Sequence, residues 1–377
     1  MKKLIKYIAF LLVTLIASSP FILFSSAESA SLSLSAKAVC LIDAESGRVL
    51  YGKNENVRLP MASTTKIMTA ILALESGIPL QTVINVPREA VGIEGSSLYL
   101  AAGEEITLEA LIYGLLLCSA NDASVAIAIA VSGSVDKFVE LMNHKASTLG
   151  LTNTSFKNPH GLYDDGHYTT AYELSVLMAY CAQNKTFLEI SGTQRRVFPR
   201  GDNSSRVMIN HNRLLREGVG VIAGKTGFTK RSGRTLVTLA ERDGLRLICC
   251  TLNASDDWND HKKLYEFGFQ SYQRTNFEPI SFKIPIISGK QSHITLKSDA
   301  IFLFTAKNQG EVTYRVTAPR FVFAPVKKGD TVGQVIFMQN GKRIASLPLV
   351  ACEDCNRISY GFNLFEWLKE IFSKLRM

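Results

Sequence analysis

The sequence contains no low-complexity segment, no internal repeat and no block of basic residues interleaved with aromatics. The first two absences argue against a disordered or solenoid chain. The third removes the usual signature of a nucleic-acid binder, so no nucleic-acid partner is expected. A disulfide framework is also missing. The cysteines, Cys40, Cys118, Cys181, Cys249, Cys250, Cys352 and Cys355, are odd in number, which argues against complete pairing. Several sit in apolar runs, where a buried thiol behaves as a small hydrophobe. Cys352-Glu353-Asp354-Cys355 has redox or metal-ligand spacing but supplies only two of zinc's four ligands. A local disulfide or two inert thiols are expected there, and neither a metal nor a cofactor is called for.

Long apolar runs are limited to one. Lys2, Lys3 and Lys6 precede the apolar residues 7–24, and Ser25-Ser26-Ala27 follow as small residues. This order predicts a signal peptide over residues 1–27, or otherwise an uncleaved anchor. Either places the rest of the chain outside the cytoplasm. The formal charge is +9, and +6 remains once those three lysines are removed. That surplus suits work near an anionic wall or lipid.

What the chain does contain is ordinary for a folded protein, 46% hydrophobic and 20% charged. Its length suggests two domains. Residues 38–42 and 48–51 read as strands around a turn at Glu45-Ser46-Gly47. Helical spacing follows over residues 63–75, 108–117, 122–131, 134–149 and 170–183, then strand patterns over 218–223, 234–240 and 245–252, and a helix over about 260–272. A hairpin, a block of helices, then strands and a helix predict an α+β domain with one antiparallel sheet, over residues 28–276. Residues 277–351 carry short alternating segments and turn signals, the pattern of a small all-β domain. Residues 352–377 form a tail in which Leu364, Phe365, Trp367, Leu368, Ile371, Phe372 and Leu375 share one helical face. Such an amphipathic helix can lie in a membrane interface, or dock on its own domain.

Three short segments carry chemistry. In Ser63-Thr64-Thr65-Lys66, the serine and lysine share a helix face at i and i+3. A lysine made neutral by burial can take the serine's proton, and the helix start points N–H groups at a developing oxyanion. Ser119-Ala120-Asn121 places polar groups between two apolar helices, with Asp122 expected to cap the second. Lys225-Thr226-Gly227 follows an apolar strand; its Lys and Thr can hold a carboxylate, and its Gly admits a substrate backbone. Fifty-six residues separate Ser63 from Ser119, and 106 separate Ser119 from Lys225.

The set, in this order, resembles the penicillin-recognising serine enzymes. Closer likeness is to the low-molecular-mass serine-type D-alanyl-D-alanine carboxypeptidases, carried also by residues 42–51, Asn158-Pro159-His160-Gly161-Leu162 and residues 167–174. The resemblance implies a transpeptidase-like fold and removal of the terminal D-alanine from peptidoglycan stem pentapeptides, with acylation by β-lactams. It implies Ser63 as nucleophile, Lys66 as its base and Ser119 as proton relay. Asn121 would hold the substrate amide, Lys225 and Thr226 its carboxylate, and Gly227 would let it approach. The oxyanion hole would use the N–H groups of Ser63 and Phe228. Family members that bind the carboxylate through an arginine suggest no counterpart here, since the comparable residues 256–261 are acidic. His160 and His167 read as loop structure and Cys118 as packing. Other readings are a D,D-endopeptidase, a class A-like β-lactamase needing a deacylating carboxylate such as Glu140, and a sensor that acylates without turnover.

Overall fold

The computed structural model describes residues 32–200, 204–307, 310–358 and 368–369. The signal peptide expected over residues 1–27 and all but two residues of the expected terminal helix lie outside them. The described residues from Ser35 onward belong to one compact unit.

The N-terminal, helix-containing half is built on a five-stranded antiparallel sheet. Its strands are β1 (Ala38–Asp43), β2 (Val49–Lys53), β7 (Val221–Thr229), β8 (Gly233–Arg242) and β9 (Leu245–Ala254), in the order β2-β1-β9-β8-β7. The helices are α1 (Lys66–Glu75), α2 (Leu108–Leu117), α3 (Asn121–Ser132), α4 (Val135–Thr148), α5 (Ala171–Cys181), α6 (Lys185–Gly192) and α7 (Asp257–Ser271). Two-stranded ribbons pair β3 (Val83–Asn85) with β4 (Glu105–Thr107), and β5 (Arg195–Pro199) with β6 (Ser205–Ile209).

The central strands are buried on both faces, which is why they read as continuous apolar runs. One face sends Cys40, Ile42, Val237, Leu239, Ile248 and Cys250 into the helical core. The other meets α7: Thr238 Oγ1 lies 2.8 Å from His261 Nδ1 and 2.6 Å from Tyr265 Oη. Helix α2 is buried at every position but Glu109. A helix apolar all round belongs inside a core, and trimming one such leucine to alanine typically costs about 2–5 kcal/mol.

Several elements differ from the sequence reading, and helix α6 and the β3–β4 ribbon were not foreseen. The strand expected over 218–223 begins at Val221 and runs through the Lys-Thr-Gly segment to Thr229, because its ladder to β8 continues that far. The helix expected over 260–272 starts at Asp257, while Tyr272 already opens the next strand. The β5–β6 ribbon was not foreseen; its outward residues are polar or mixed and give no clear alternation.

The β-rich half contains β10 (Tyr272–Phe277), β11 (Ser281–Ile287), β12 (His293–Lys297), β13 (Ile301–Ala306), β14 (Thr313–Thr317), β15 (Val322–Phe323), β16 (Thr331–Gln339) and β17 (Lys342–Ala351). Six of these form a sheet in the order β14-β16-β17-β12-β11-β15, and β10 pairs with β13. Ile284, Ile286, Ile294, Leu296, Val335, Phe337 and Leu349 make its separate core. Cys352 and Cys355 are both unpaired thiols, so the local disulfide is not formed. Cys355 packs under Gly289, where an added Cβ would lie 2.7 Å from its sulfur.

Candidate active site

Ser63 lies in a 3-10 turn, Ala62–Thr65, that leads into α1. Two close approaches position this turn. Gly227 of β7 has no room for a Cβ, which would sit 2.4 Å from Thr235 Oγ1 and 2.9 Å from Ser63 N. Gly161, at φ +90°, has none either, since a Cβ there would lie 2.0 Å from Ala62 O. Thr235 Oγ1 also donates to Met61 O at 3.0 Å, tying β8 to the turn. Ala62 itself adopts φ 47°, a conformation that costs a non-glycine residue about 1 kcal/mol or more. The residue before Ser63 is therefore held in place by its neighbours and not by its own preference.

Lys66 is fully buried. Its Nζ lies 2.9 Å from Ser63 Oγ, 2.7 Å from Asn121 Oδ1 and 2.6 Å from His160 O. Burial first, and then the charge of Lys225, hold its pKa well below the ordinary lysine value, while Asp122 opposes them. A neutral amine has two N–H donors and one lone pair. The two carbonyl-type oxygens can take both donors, which leaves the lone pair for the Ser63 hydroxyl.

Ser119 adopts φ 60° in the turn between α2 and α3. This is the position after the C-cap residue Cys118, where glycine is usual. Asn121 opens α3; its Nδ2 donates to Glu94 O and its backbone N–H to Ser96 O at 2.7 Å. Gly95 clears space for it, since a Cβ there would lie 2.9 Å from Asn121 Nδ2. Asp122 was expected to cap α3, but that helix has Ala120 as N-cap without a side-chain bond. Its carboxylate instead accepts from Leu98 N at 3.0 Å, Leu100 N at 3.1 Å and Ser97 Oγ at 2.6 Å. Those three donors lie on one loop, and gathering them outweighs a single cap bond.

Lys225 is buried on the edge strand β7, its Nζ donating to Thr226 O at 2.9 Å. Burial lowers its pKa to about 7, against a small opposing effect from Cys118. Ser63, Ser119, Thr226, Gly227 and Phe228 all line one open cleft of about 340 Å³. Phe228 is exposed there.

The same cleft is lined by residues the sequence reading did not assign: Ser96, His211, Arg234, Asp257 and Trp258. Arg234 Nε donates to Asp257 Oδ1 at 2.6 Å, and its guanidinium lies 5.3 Å from the Trp258 ring centre. Asp257 is buried, which raises its pKa against the pull of Arg234. The acidic stretch at residues 256–261 thus supplies a holder for an arginine from a neighbouring strand. Of its other two acids, Asp260 accepts from Ser35 and Ala36, and His261 sits between Thr238 and Thr251. Only the turn at residues 229–233, which sets Arg234 directly across from Phe228, hinted at this in the sequence.

The two motif histidines are structural. His167 Nδ1 accepts from Lys157 N at 3.0 Å, so its Nε2–H donates to Thr65 Oγ1 at 2.7 Å. Burial lowers it to about 4 and lowers His160 to about 3, so both are neutral. Glu140 lies exposed on α4 and is not among the cleft residues; Asp257, held by Arg234, is the carboxylate among the described lining residues.

Residues 25–256 match the family model described as D-alanyl-D-alanine carboxypeptidase, and residues 278–357 match the penicillin-binding protein 5 C-terminal domain. The D-alanyl-D-alanine carboxypeptidase DacF of Bacillus subtilis is 32% identical over 91% of this chain and 92% of its own. DacC of Escherichia coli is 32% identical over 85% of this chain and 84% of its own. The crystal structure of penicillin binding protein 5 from Haemophilus influenzae superposes with a TM-score of 0.76 at 27% identity, covering 86% of this chain and 98% of that one. With the Ser63 turn and the edge strand lining one cleft and the buried Lys66 amine beside Ser63, this chain belongs to the D-alanyl-D-alanine carboxypeptidase family of serine peptidases.

Proposed function

We propose that the enzyme removes the terminal D-alanine of peptidoglycan stem pentapeptides through an acyl-enzyme on Ser63. Neutral Lys66 takes the Ser63 proton as Oγ attacks the carbonyl of the penultimate D-alanine. The oxyanion is met by the N–H groups of Ser63 and Phe228. Ser119 passes a proton to the leaving amine, free D-alanine departs, and Oγ holds the acyl group. Lys66, neutral again after giving its proton to Ser119, takes a proton from the water that attacks the ester and returns it to Ser63 Oγ as the C–Oγ bond breaks and the shortened peptide leaves. Asn121 holds the substrate amide. Lys225 and Thr226 meet the terminal carboxylate, Arg234 offers it a further donor, and Gly227 keeps the strand close to the nucleophile.

A β-lactam follows the first half of this course. Attack by Ser63 opens the four-membered ring, and the amine that leaves stays tethered to the acyl group. The observation that carries the reading is the buried Lys66 amine, 2.9 Å from Ser63 Oγ with two other acceptors fixing it.

The test is D-alanine release from a pentapeptide ending in D-Ala-D-Ala, alongside labelling by fluorescent penicillin. Ser63→Ala should abolish labelling and lower release by about 10⁴-fold or more, as loss of a serine nucleophile does elsewhere. Persistent labelling would remove Ser63 from its role. Labelling of the wild-type chain without release would favour a sensor.

The supported site of action is outside the cytoplasmic membrane. The lysine-apolar-small pattern of residues 1–27 argues for export, and the apolar face shared by Leu364, Trp367, Leu368, Ile371 and Phe372 argues for attachment to the membrane surface. Replacing Trp367 and Phe372 by serine should release the exported protein from membranes; unchanged retention would refute the tail as anchor.

A further inference from the structure

The outermost edge of the β-rich half exposes a group of large apolar side chains. Strand β11 alternates, sending Ile284 and Ile286 inward and Lys283, Pro285 and Ile287 outward. Its parallel pairing with β15 sets Ile287 beside Phe323, and both are exposed, at 42% and 66%. Phe321, two residues earlier and 47% exposed, meets Phe323 edge-to-face with ring centres 5.5 Å apart. On the other side Ile358, 37% exposed, donates its N–H to Ser288 O at 2.8 Å. Ile287, Phe323 and Ile358 are thus held along one edge by backbone pairing, and Phe321 joins them through its ring contact with Phe323.

Within the segments that carry them, residues 281–291, 317–326 and 356–358, the charged side chains are Lys283, Lys290, Arg320 and Arg357, and the carboxylates next along the chain, Glu353 and Asp354, accept from the backbone N–H groups of Thr295 and Lys328. All four cations are exposed. Just beyond Ile358 the sequence runs into the amphipathic stretch with Leu364, Phe365 and Trp367.

We propose that this rim, Ile287, Phe321, Phe323 and Ile358 ringed by Lys283, Lys290, Arg320 and Arg357, seats the β-rich half directly on an anionic lipid surface. Aromatic rings that enter the interface gain apolar burial, and cations at the same depth attract anionic headgroups. A protein partner would be expected to answer these four cations with carboxylates, and a lipid surface does so with phosphates. The inference rests on the membrane reading above and adds a second contact to it. Tail and rim together supply the two signals that stable attachment needs. They would also fix the height and tilt of the catalytic cleft above the membrane.

The test uses the chain from Glu28 onward and sedimented vesicles of phosphatidylcholine, with and without half phosphatidylglycerol. Wild-type protein should bind the anionic vesicles at least tenfold more tightly. Phe321→Ser with Phe323→Ser should weaken that binding about tenfold, as burial of two partly inserted rings is lost, with penicillin labelling unchanged. Arg320→Gln with Arg357→Gln should erase most of the preference for anionic vesicles. Trp367→Ser with Phe372→Ser tests the tail separately. If that pair loses binding while the Phe321/Phe323 pair binds like wild type, the rim proposal falls and the tail reading stands. The reverse pattern upholds the rim and refutes the tail. Equal binding to both vesicle types overturns the proposal. So does a wild-type dimer that the phenylalanine pair converts to monomer with vesicle binding unchanged, since the rim would then join two copies. Should the double serine variant fail to fold, Phe321→Trp gives a second reading: its fluorescence should shift to the blue on anionic vesicles, and no shift overturns the proposal.

Discussion

The ionisation of Lys66 sets the expected pH response of acylation. A protonated Lys66 cannot accept the Ser63 proton, so the reaction should fail as pH drops through its pKa and persist above it. Burial and Lys225 push that pKa down, so the acidic limb of kcat/KM should lie far below the 10.5 of an ordinary lysine. Replacing Lys225 by glutamine removes the positive neighbour that adds to burial and should move the limb to higher pH, read from penicillin acylation rates between about pH 5 and 9. An unmoved limb would show that burial alone sets the value. Gly227→Ala adds a methyl 2.4 Å from Thr235 Oγ1 and 2.9 Å from Ser63 N. Acylation should fall about 10²-fold or more, with an overpacking cost of about 1–3 kcal/mol in thermal or urea unfolding. A variant as active as wild type would mean that the strand and the turn move apart freely. Arg234→Gln should raise KM about tenfold for a peptide with a free terminal carboxylate and leave its amide nearly unchanged. Equal effects on both peptides would make Arg234 a support for Asp257 and Trp258 only.

At the scale of elements, the site is a meeting of three: the turn before α1, the turn between α2 and α3, and the edge strand β7. The second is held by Asp122, which gathers Leu98, Leu100 and Ser97 onto the start of α3. Asp122→Ala should lower stability by about 3 kcal/mol, since it strands buried donors that had a charged partner. Acylation should fall as well, because Asn121 is fixed through Glu94 and Ser96 on the same loop. Unfolding curves and labelling rates test both halves, and a variant as stable as wild type would refute the clamp. The helices were legible from their spacing: α2 matches the expected range residue for residue, since its start lies at a capping threonine, Thr107. An edge strand carrying Lys225 and Thr226 was legible too, but its extension through Phe228 to Thr229 was not, because that follows from a ladder with β8 and not from any pattern within the strand.

For the whole molecule, the sequence by itself determined the fold class, and it set out an expected two-part division and three candidate catalytic segments. Each of these is local: periodicity is set by neighbours three or two residues apart, and each motif spans at most four residues. The switch to short alternating strands after residue 276 needed no partner to be seen. Only the tertiary structure decided the rest. It brought Arg234 to the cleft and gave it Asp257 and Trp258, residues more than twenty positions away. It turned Asp122 from an expected cap into a clamp, and it left Cys352 and Cys355 unpaired. It also placed Phe321, Phe323, Ile287 and Ile358 on one rim, although they come from three separate segments. These outcomes depend on contacts between distant parts of the chain, whose geometry is fixed only when sheet register and helix packing are set together.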